Sequence, residues 1–359
     1  MRLKSSISVG WELAEGARYI LLGEHDHGCA SSIYWKLVFL RHRWKEGHQI
    51  RVMLELGQFE VTQLGKALAR SGDISHALSV FLPPIMRSTS YEQLFRLIQR
   101  SWQTPNPIEI EGIDFRFSSG QSARLYVESH SARLPLSLQD RMHRLAQWTR
   151  RPWEPCPKEV NRNMEEHLEQ MTDLGHNVNY ARLLANGIRQ LEPSGYARVA
   201  ADAGVSAFNY RDAVMAERLL GKKDMHENPA VIVWTANVHA AKTLQFVEDH
   251  HALARLHPIG EHLVTETGSV FSIGTTPQRG WVRDSFTQQR RRLEDAKKPA
   301  LECLTLFDSR LLTARDLHCS GVTSCRALGS EFTSMRNWDR AFDALQVIKA
   351  KPVHLVMDP

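Results

Sequence analysis

Tyr19-Ile20-Leu21-Leu22-Gly23-Glu24-His25-Asp26-His27-Gly28 is the stretch from which the fold can be read. Four apolar residues of strand length run into a glycine, and four ionisable side chains follow within the next four positions. In open α/β sheets, polar groups gather just outside the carboxyl ends of the strands, where loops project side chains into a crevice. The stretch therefore predicts a buried strand whose exit carries chemistry. Residues 52–56, 108–113, 231–234 and 270–273 repeat the pattern of a short, partly β-branched apolar run, most of them closed by Gly, Asn or Asp. Between these runs, residues 33–44, 91–102, 161–192, 213–220 and 338–348 space their apolar side chains as helices do. The alternation predicts an α/β fold with a mainly parallel central sheet flanked by helices. Residues 117–201 contain no convincing strand and are helical and polar, so they are expected to form a helical cap or insertion. The α/β core would then come in two parts, 1–116 and 202–359. Residues 303–307 are a candidate late strand.

The chain has 359 residues, 42% hydrophobic and 24% charged, enough to bury a large core as one domain or two. Its 45 Lys and Arg against 40 Asp and Glu give a net charge of +5, and the basic residues are scattered, so no nucleic-acid partner is expected. The densest basic run, Arg290 to Arg292 with Lys297 and Lys298, reads as a solvated helix face. No apolar stretch is long enough to span a membrane and the first ten residues lack a secretory core, so no membrane partner and a cytoplasmic location are expected. The five cysteines at 29, 156, 303, 319 and 325 form no CxxC pair, which fits a reducing compartment and argues against a zinc knuckle.

Three strand ends carry the candidate chemistry. Glu24, His25, Asp26 and His27 follow the first run, although Asp26 also suits a plain helix cap. Glu55 interrupts the second run, and a carboxylate there must find a cation or sit at the exposed sheet end. Beside Glu24 it would prepare acid/base work; alone it would be a structural ion pair. His239 lies just past the fourth run, and Arg211 and Asp212 are read as opening the helix 213–220, with Asp212 as its cap. An arginine near two glutamates would hold them ionised or grip a substrate oxygen. There is no G-x-S-x-G elbow, which disfavours a serine nucleophile.

Six motifs, in order and at similar spacing, resemble the erythromycin esterase family. They are Gly23-Glu24-x-x-His27-Gly28, the Glu55 strand, Glu111-Gly112-Ile113-Asp114, Tyr210-Arg211-Asp212-x-x-Met215-Ala216, Val233-Trp234-x-x-Asn237-x-His239, and Pro258-Ile259-Gly260-x-His262-Leu263 with Phe271-Ser272-Ile273-Gly274. The resemblance implies a hydrolase in which His27 activates water for attack on an ester or lactone carbonyl. Glu24 and Glu55 would orient that base, while Arg211 and His239 would shape the site and stabilise charge on oxygen. His25, Asp26, Asp114, Asn237 and His262 are the expected substrate-binding residues. His25-Asp26 departs from the small or hydroxyl residues common in the family, and the cap is short, so a substrate smaller or more hydrophilic than erythromycin is expected. No cofactor is expected. The alternatives use Glu24, His27, Glu55 and His239 to hold a divalent metal for hydrolysis, as in the related Tiki and TraB-like proteins, or make the chain a non-enzymatic binder of a haem-like molecule. A toxin or effector role on the same fold is also open.

Overall fold

A computed structural model describes residues 2–70, 73–151, 155–158, 160–189, 196–221, 231–283, 289–293, 309–318, 322–328, 333–351 and 354. Its strands are β1 (Tyr19–Glu24), β2 (Ile50–Gly57), β3 (Ile108–Asp114), β4 (Val231–Ala236), β5 (Val270–Arg283), β6 (Arg290–Leu293), β7 (Ser309–Thr313), β8 (Val322–Cys325), β9 (Thr333–Arg336) and β10 (Ala344–Ala350). The helices are α1 (Arg2–Leu13), α2 (Ala30–Lys45), α3 (Gln58–Arg70), α4 (Ile74–Phe81), α5 (Thr89–Ser101), α6 (Gly120–Ser131), α7 (Leu136–Trp148), α8 (Arg162–Gln170), α9 (Thr172–Arg189), α10 (Tyr196–Leu220), α11 (Asn237–Ala240), α12 (Ile259–Thr267) and α13 (Ala314–Leu317). Eight strands form one sheet in the order β3-β2-β4-β1-β5-β10-β7, with β6 on the far part of β5. The pairings from β3 across to β10 are parallel, and only β7 and β6 join antiparallel. The α/β fold with a mainly parallel sheet is thus observed.

The period-two alternation of strands sorts side chains into two cores. Ile20 and Leu22 of β1, with Val52, Leu54 and Leu56 of β2, face a cluster that includes α2 and α5. Tyr19 and Leu21, with Met53, face the cluster built on α10, α11 and α12. A third cluster, including Tyr126, Met142, Trp148, Met164, Leu168, Leu174 and Val178, is assembled mainly by α6 to α9 from their own side chains, with Phe117 ahead of α6 joining it.

Four sequence expectations change. Of the stretch 161–192, the described residues to 189 form two helices, because Met171 leaves helical dihedrals (φ −108°, ψ 69°), and 190–192 lie outside the described residues; Met164, Leu168 and Leu174 still pack into one cluster, which is why the stripe looked continuous. Residues 338–348 are a short 3₁₀ turn followed by strand β10, since the helical spacing of Trp338, Ala341, Phe342 and Leu345 comes from a turn and a strand buried on both faces. The Arg290–Arg292 run is strand β6, paired with β5, and not a helix face. Arg211 and Asp212 lie inside α10 and do not open a helix. The candidate strand 303–307 falls outside the described residues.

One irregularity positions the site. Leu54 pairs with Gly112 and Gly57 with Asp114, so β2 spends one residue more than β3 over that span, a bulge in the stretch that carries Glu55. Gly112 makes room for it: a Cβ there would stand 2.5 Å from the Gly57 carbonyl oxygen and 2.6 Å from that of Leu56. Gly112→Ala is therefore expected to destabilise the fold by about 1–3 kcal/mol through backbone overpacking, read as a lower midpoint at unchanged slope in urea unfolding.

Candidate functional site

β1, β4, β2 and β3 are neighbours in the sheet and deliver Glu24, the residues after Ala236, Glu55 and Asp114 to the same edge. Glu24 and Glu55 arrive from opposite faces. Glu24 continues the Ile20 and Leu22 side toward α2 and α5, and Glu55 continues the Met53 side toward α10. With His27, Leu54, Leu56, Met86, Tyr91, Trp234 and Thr235 they line a narrow cleft of about 10 Å³.

Glu24 is 1% exposed. Its Oε1 accepts from Tyr91 Oη at 3.1 Å and lies 2.5 Å from His27 Nδ1, while Oε2 is 3.3 Å from Lys36 Nζ. Burial raises the Glu24 carboxyl, but Lys36 and His27 overcome it and the net direction is downward. Lys36 is fully buried, donates to the Thr235 carbonyl at 3.1 Å and lies over the Trp234 ring at 4.4 Å. Burial outweighs Glu24 there and pushes the lysine down to about 8. His27 keeps 24% of its side chain exposed. Glu24 engages its Nδ1, and among the described residues no protein group engages Nε2. Burial lowers the ring's affinity for a proton; Glu24 and Glu55 raise it beyond that loss, while Lys36 tempers the rise, for a net upward direction.

Glu55 is held more rigidly. Oε1 accepts from Arg211 Nη2 at 2.7 Å, and Oε2 accepts from Thr235 Oγ1 at 2.6 Å and from the Ala236 amide at 2.9 Å. Burial opposes its charge, yet His239 and Arg211 hold the carboxyl well below the usual range. Arg211 also donates through Nε and Nη2 to Asp114 Oδ2, at 3.0 and 2.7 Å. Its Nη1 lies 2.9 Å from His239 Nε2, which is itself 3.3 Å from Glu55 Oε1. The other ring nitrogen, Nδ1, sits 2.8 Å from Asp212, and Phe208 stacks on the ring at 4.8 Å. Burial favours the neutral ring, but Asp212 and Glu55 outweigh it and move His239 up to about 9.

The five residues expected to carry catalysis are thus joined, but unequally. Glu24, His27 and Glu55 line the cleft, whereas Arg211 and His239, 5% and 4% exposed, meet it through Glu55. Every nitrogen of Arg211 is engaged by Asp114, Glu55 or His239, so its place is that of a positioning residue. Of the expected binding residues, Asp114 belongs to this network. The others lie elsewhere. His25 turns into the core, with Nδ1 3.2 Å from Ser32 Oγ, and burial drives it down to about 3, so it is neutral. Asp26 Oδ1 accepts from the Gly28 amide at 2.7 Å and shapes the turn without capping α2. Gly28 is a steric requirement, since a Cβ there would reach 1.7 Å from the Arg283 carbonyl oxygen. The Asn237 amide is spent on Thr275 and Ala327 at the opposite flank of β1. His262 lines a separate hollow between α10 and α12, with Ala213, Ala216, Glu217 and Glu266. Among the described residues, no group of three or more His, Cys, Asp or Glu is arranged to hold a metal ion. The four residues of the divalent-metal alternative are split, with Glu24 on Lys36 and Glu55 on Arg211, and do not fit one cation.

Sequence reasoning did not single out Lys36, Tyr91, Thr235 or the Asp212 contact with His239. A signal for Lys36 exists: it stands among Ile33, Trp35, Leu37, Phe39 and Leu40 on the buried side of α2, where lysines are almost never found unpaired.

Comparison with known proteins gives the same architecture. Among solved structures, a Bacillus cereus protein covers 99% of this chain and 94% of its own at a TM-score of 0.63 and 16% identity. A histidine-to-asparagine variant of the erythromycin esterase EreC, in its open conformation, covers 98% and 95% at a TM-score of 0.64 and 16% identity. A succinoglycan biosynthesis protein covers 96% and 91% at 0.61 and 14% identity. No curated protein matches the chain. The sequence model of the erythromycin esterases matches residues 44–304, which takes in Glu55, Asp114, Arg211 and His239. With that match over most of its length, the chain belongs to the erythromycin esterase family.

Proposed function

We propose that the protein hydrolyses an ester or lactone by general-base activation of water at His27. Membership in the family supports hydrolase-like function. The observation that carries the finer reading is the His27 ring itself, with Nδ1 held 2.5 Å from a buried carboxylate and Nε2 left for the cleft. That is the arrangement a base needs: one nitrogen fixed, the other directed at a reacting atom. Nε2 takes a proton from water as its oxygen attacks the carbonyl carbon. The tetrahedral intermediate then collapses, the C–O bond to the leaving group breaks, and the proton on Nε2 passes to the departing alkoxide. Glu24 fixes the tautomer and balances the imidazolium formed between these steps, and Glu55 adds a second negative charge in the same cleft. Lys36 works in the other direction and tempers the rise that the two carboxylates give the His27 ring.

Arg211, clamped by Asp114, keeps Glu55 and His239 in place. The substrate is read as small. The cleft of about 10 Å³ has room for about one water, far below the roughly 300–1,000 Å³ usual for drug-sized ligands, and the helices α6 to α9, read as the cap, spend their apolar side chains on their own cluster. A cytoplasmic location is part of the same proposal; no described helix is long and apolar enough to cross a membrane.

Three outcomes are expected. His27→Ala should lower kcat/KM on a small activated ester about 10²- to 10⁴-fold while its circular dichroism stays that of the parent, and near-parental turnover would assign the base elsewhere. Because the neutral ring is the active form, kcat/KM should rise with pH through a His27 transition above the ordinary value of about 6.5. Glu24→Gln removes the interaction that raises it, so the pH–rate profile should show that limb displaced to lower pH, with a smaller plateau. Erythromycin should be turned over with kcat/KM well below the roughly 10⁴ M⁻¹s⁻¹ of an ordinary enzyme on its own substrate, as followed by mass spectrometry beside a panel of small esters and lactones.

A further inference from the structure

Beyond the sheet edge that holds the cleft, β5 runs on to Arg283 and pairs with β6, with Gly280 opposite Leu293, Trp281 opposite Arg292, Val282 opposite Arg291 and Arg283 opposite Arg290. On its other side, Arg279 of β5 pairs with Lys349 of β10. Directly opposed residues share a face and successive ones alternate, so the ribbon has two unlike faces. One face puts Val282 and Leu293 into a small buried cluster with Cys29, Ile348 and Ala350. The other face therefore carries Lys349, Arg279, Trp281, Arg283, Arg290 and Arg292 together. Trp281 is 47% exposed, one of few large apolar side chains so open, and Arg279, Arg290, Arg292 and Lys349 are exposed around it. No acidic residue lies on this face of the ribbon among the described residues.

We propose that this ribbon is a docking surface for single-stranded nucleic acid, with a base stacked on Trp281 and phosphates held by the surrounding arginines. Charge complementarity selects a polyanion. The aromatic side chain selects one with flat π-faces, since an indole among cations is the element on which unpaired bases stack. On β6 the like-facing Arg290 and Arg292 stand about 6.6–6.8 Å apart, and on β5 Arg279 and Arg283 stand about 13 Å apart with Trp281 between them, a row of cations that suits a repeating anion better than a single small one. Arginine in place of lysine at four of the five basic positions favours the phosphate oxyanion, which a planar guanidinium binds through two parallel N–H groups. An anionic membrane is the weaker fit, because interfacial binding sinks several apolar side chains and here, among the described residues of this face, one tryptophan is ringed by charge. The sequence did not show this surface, because the run 290–292 looked like a helix face and spacing alone does not show its pairing with residues 280–283.

Fluorescence anisotropy of the full chain with a labelled 12-nucleotide single strand, titrated in salt, tests the proposal. Binding should weaken as salt rises. Trp281→Ala should cost roughly 5- to 150-fold in affinity, the range of one stacked base. Arg290→Glu with Arg292→Glu should weaken binding further and reduce the salt slope by about 1.4, or about 0.7 for each lost phosphate contact. These side chains are exposed, and circular dichroism checks that both variants stay folded. Affinity unchanged in both variants would overturn the proposal. So would binding of phosphatidylserine vesicles with no binding of the oligonucleotide.

Discussion

Two carboxylates buried at the end of a parallel sheet impose the strictest demand on this molecule. An ionised carboxylate without a partner in the interior costs several kcal/mol, so Glu24 and Glu55 each require a cation held in place. Glu24 has Lys36 of α2, and Glu55 has Arg211 of α10. Because the two acids approach from opposite faces, their cations must come from opposite helical layers. The positions of α2 and α10 over the sheet are therefore fixed by charge as well as by apolar burial. Arg211 is in turn over-supplied with anions, and Asp114 and Asp212 close that account with the guanidinium and with His239. The result is a rigid polar layer under a small cleft, in which His27 is the more exposed member.

Much of this was legible in the chain. Five strands and the polar residues at their exits follow from short β-branched runs ending in turn-forming residues, and the convergence of Glu24, Glu55 and His239 follows from parallel strands sharing one carboxyl edge. What escaped was of two kinds. Lys36 and Tyr91 sit on the apolar stripes of α2 and α5, where spacing alone assigns a side chain to the core without saying that the core there contains a charge. His25, Asn237 and His262 have the right chemistry next to the right strands, yet face away from the cleft. Residue spacing does not reveal how a turn rotates its side chains, and the Gly28 approach to β5 and the bulge at Glu55 are decided by backbone contacts across the sheet. The same limit explains 338–348, where a 3₁₀ turn leading into a doubly buried strand imitates the i, i+3, i+4 spacing of a helix.

Glu55 also shows why fold and chemistry are hard to separate here. It is held by a threonine hydroxyl, a backbone amide and a guanidinium on a bulged strand, more partners than an acid needs merely to have its charge balanced. A structural ion pair would have sufficed for stability, and buried pairs of that kind are often no better than an apolar replacement. The added partners fix an orientation, which is of use when a charge must stand at a set distance from a reacting ring.

The place of β4 between β1 and β2 has a consequence for how the chain comes off the ribosome. Glu24 and Glu55 belong to strands that are both complete by Gly57, yet the strand that joins them begins at Val231. At about 5–20 residues per second, the wait between the two is on the order of 10 s or more. Until then neither β1 nor β2 has the neighbour that separates them in the finished sheet. The late arrival of one strand thus closes two edges at once, and a nascent chain halted before it lacks the strand that fills the gap between β1 and β2.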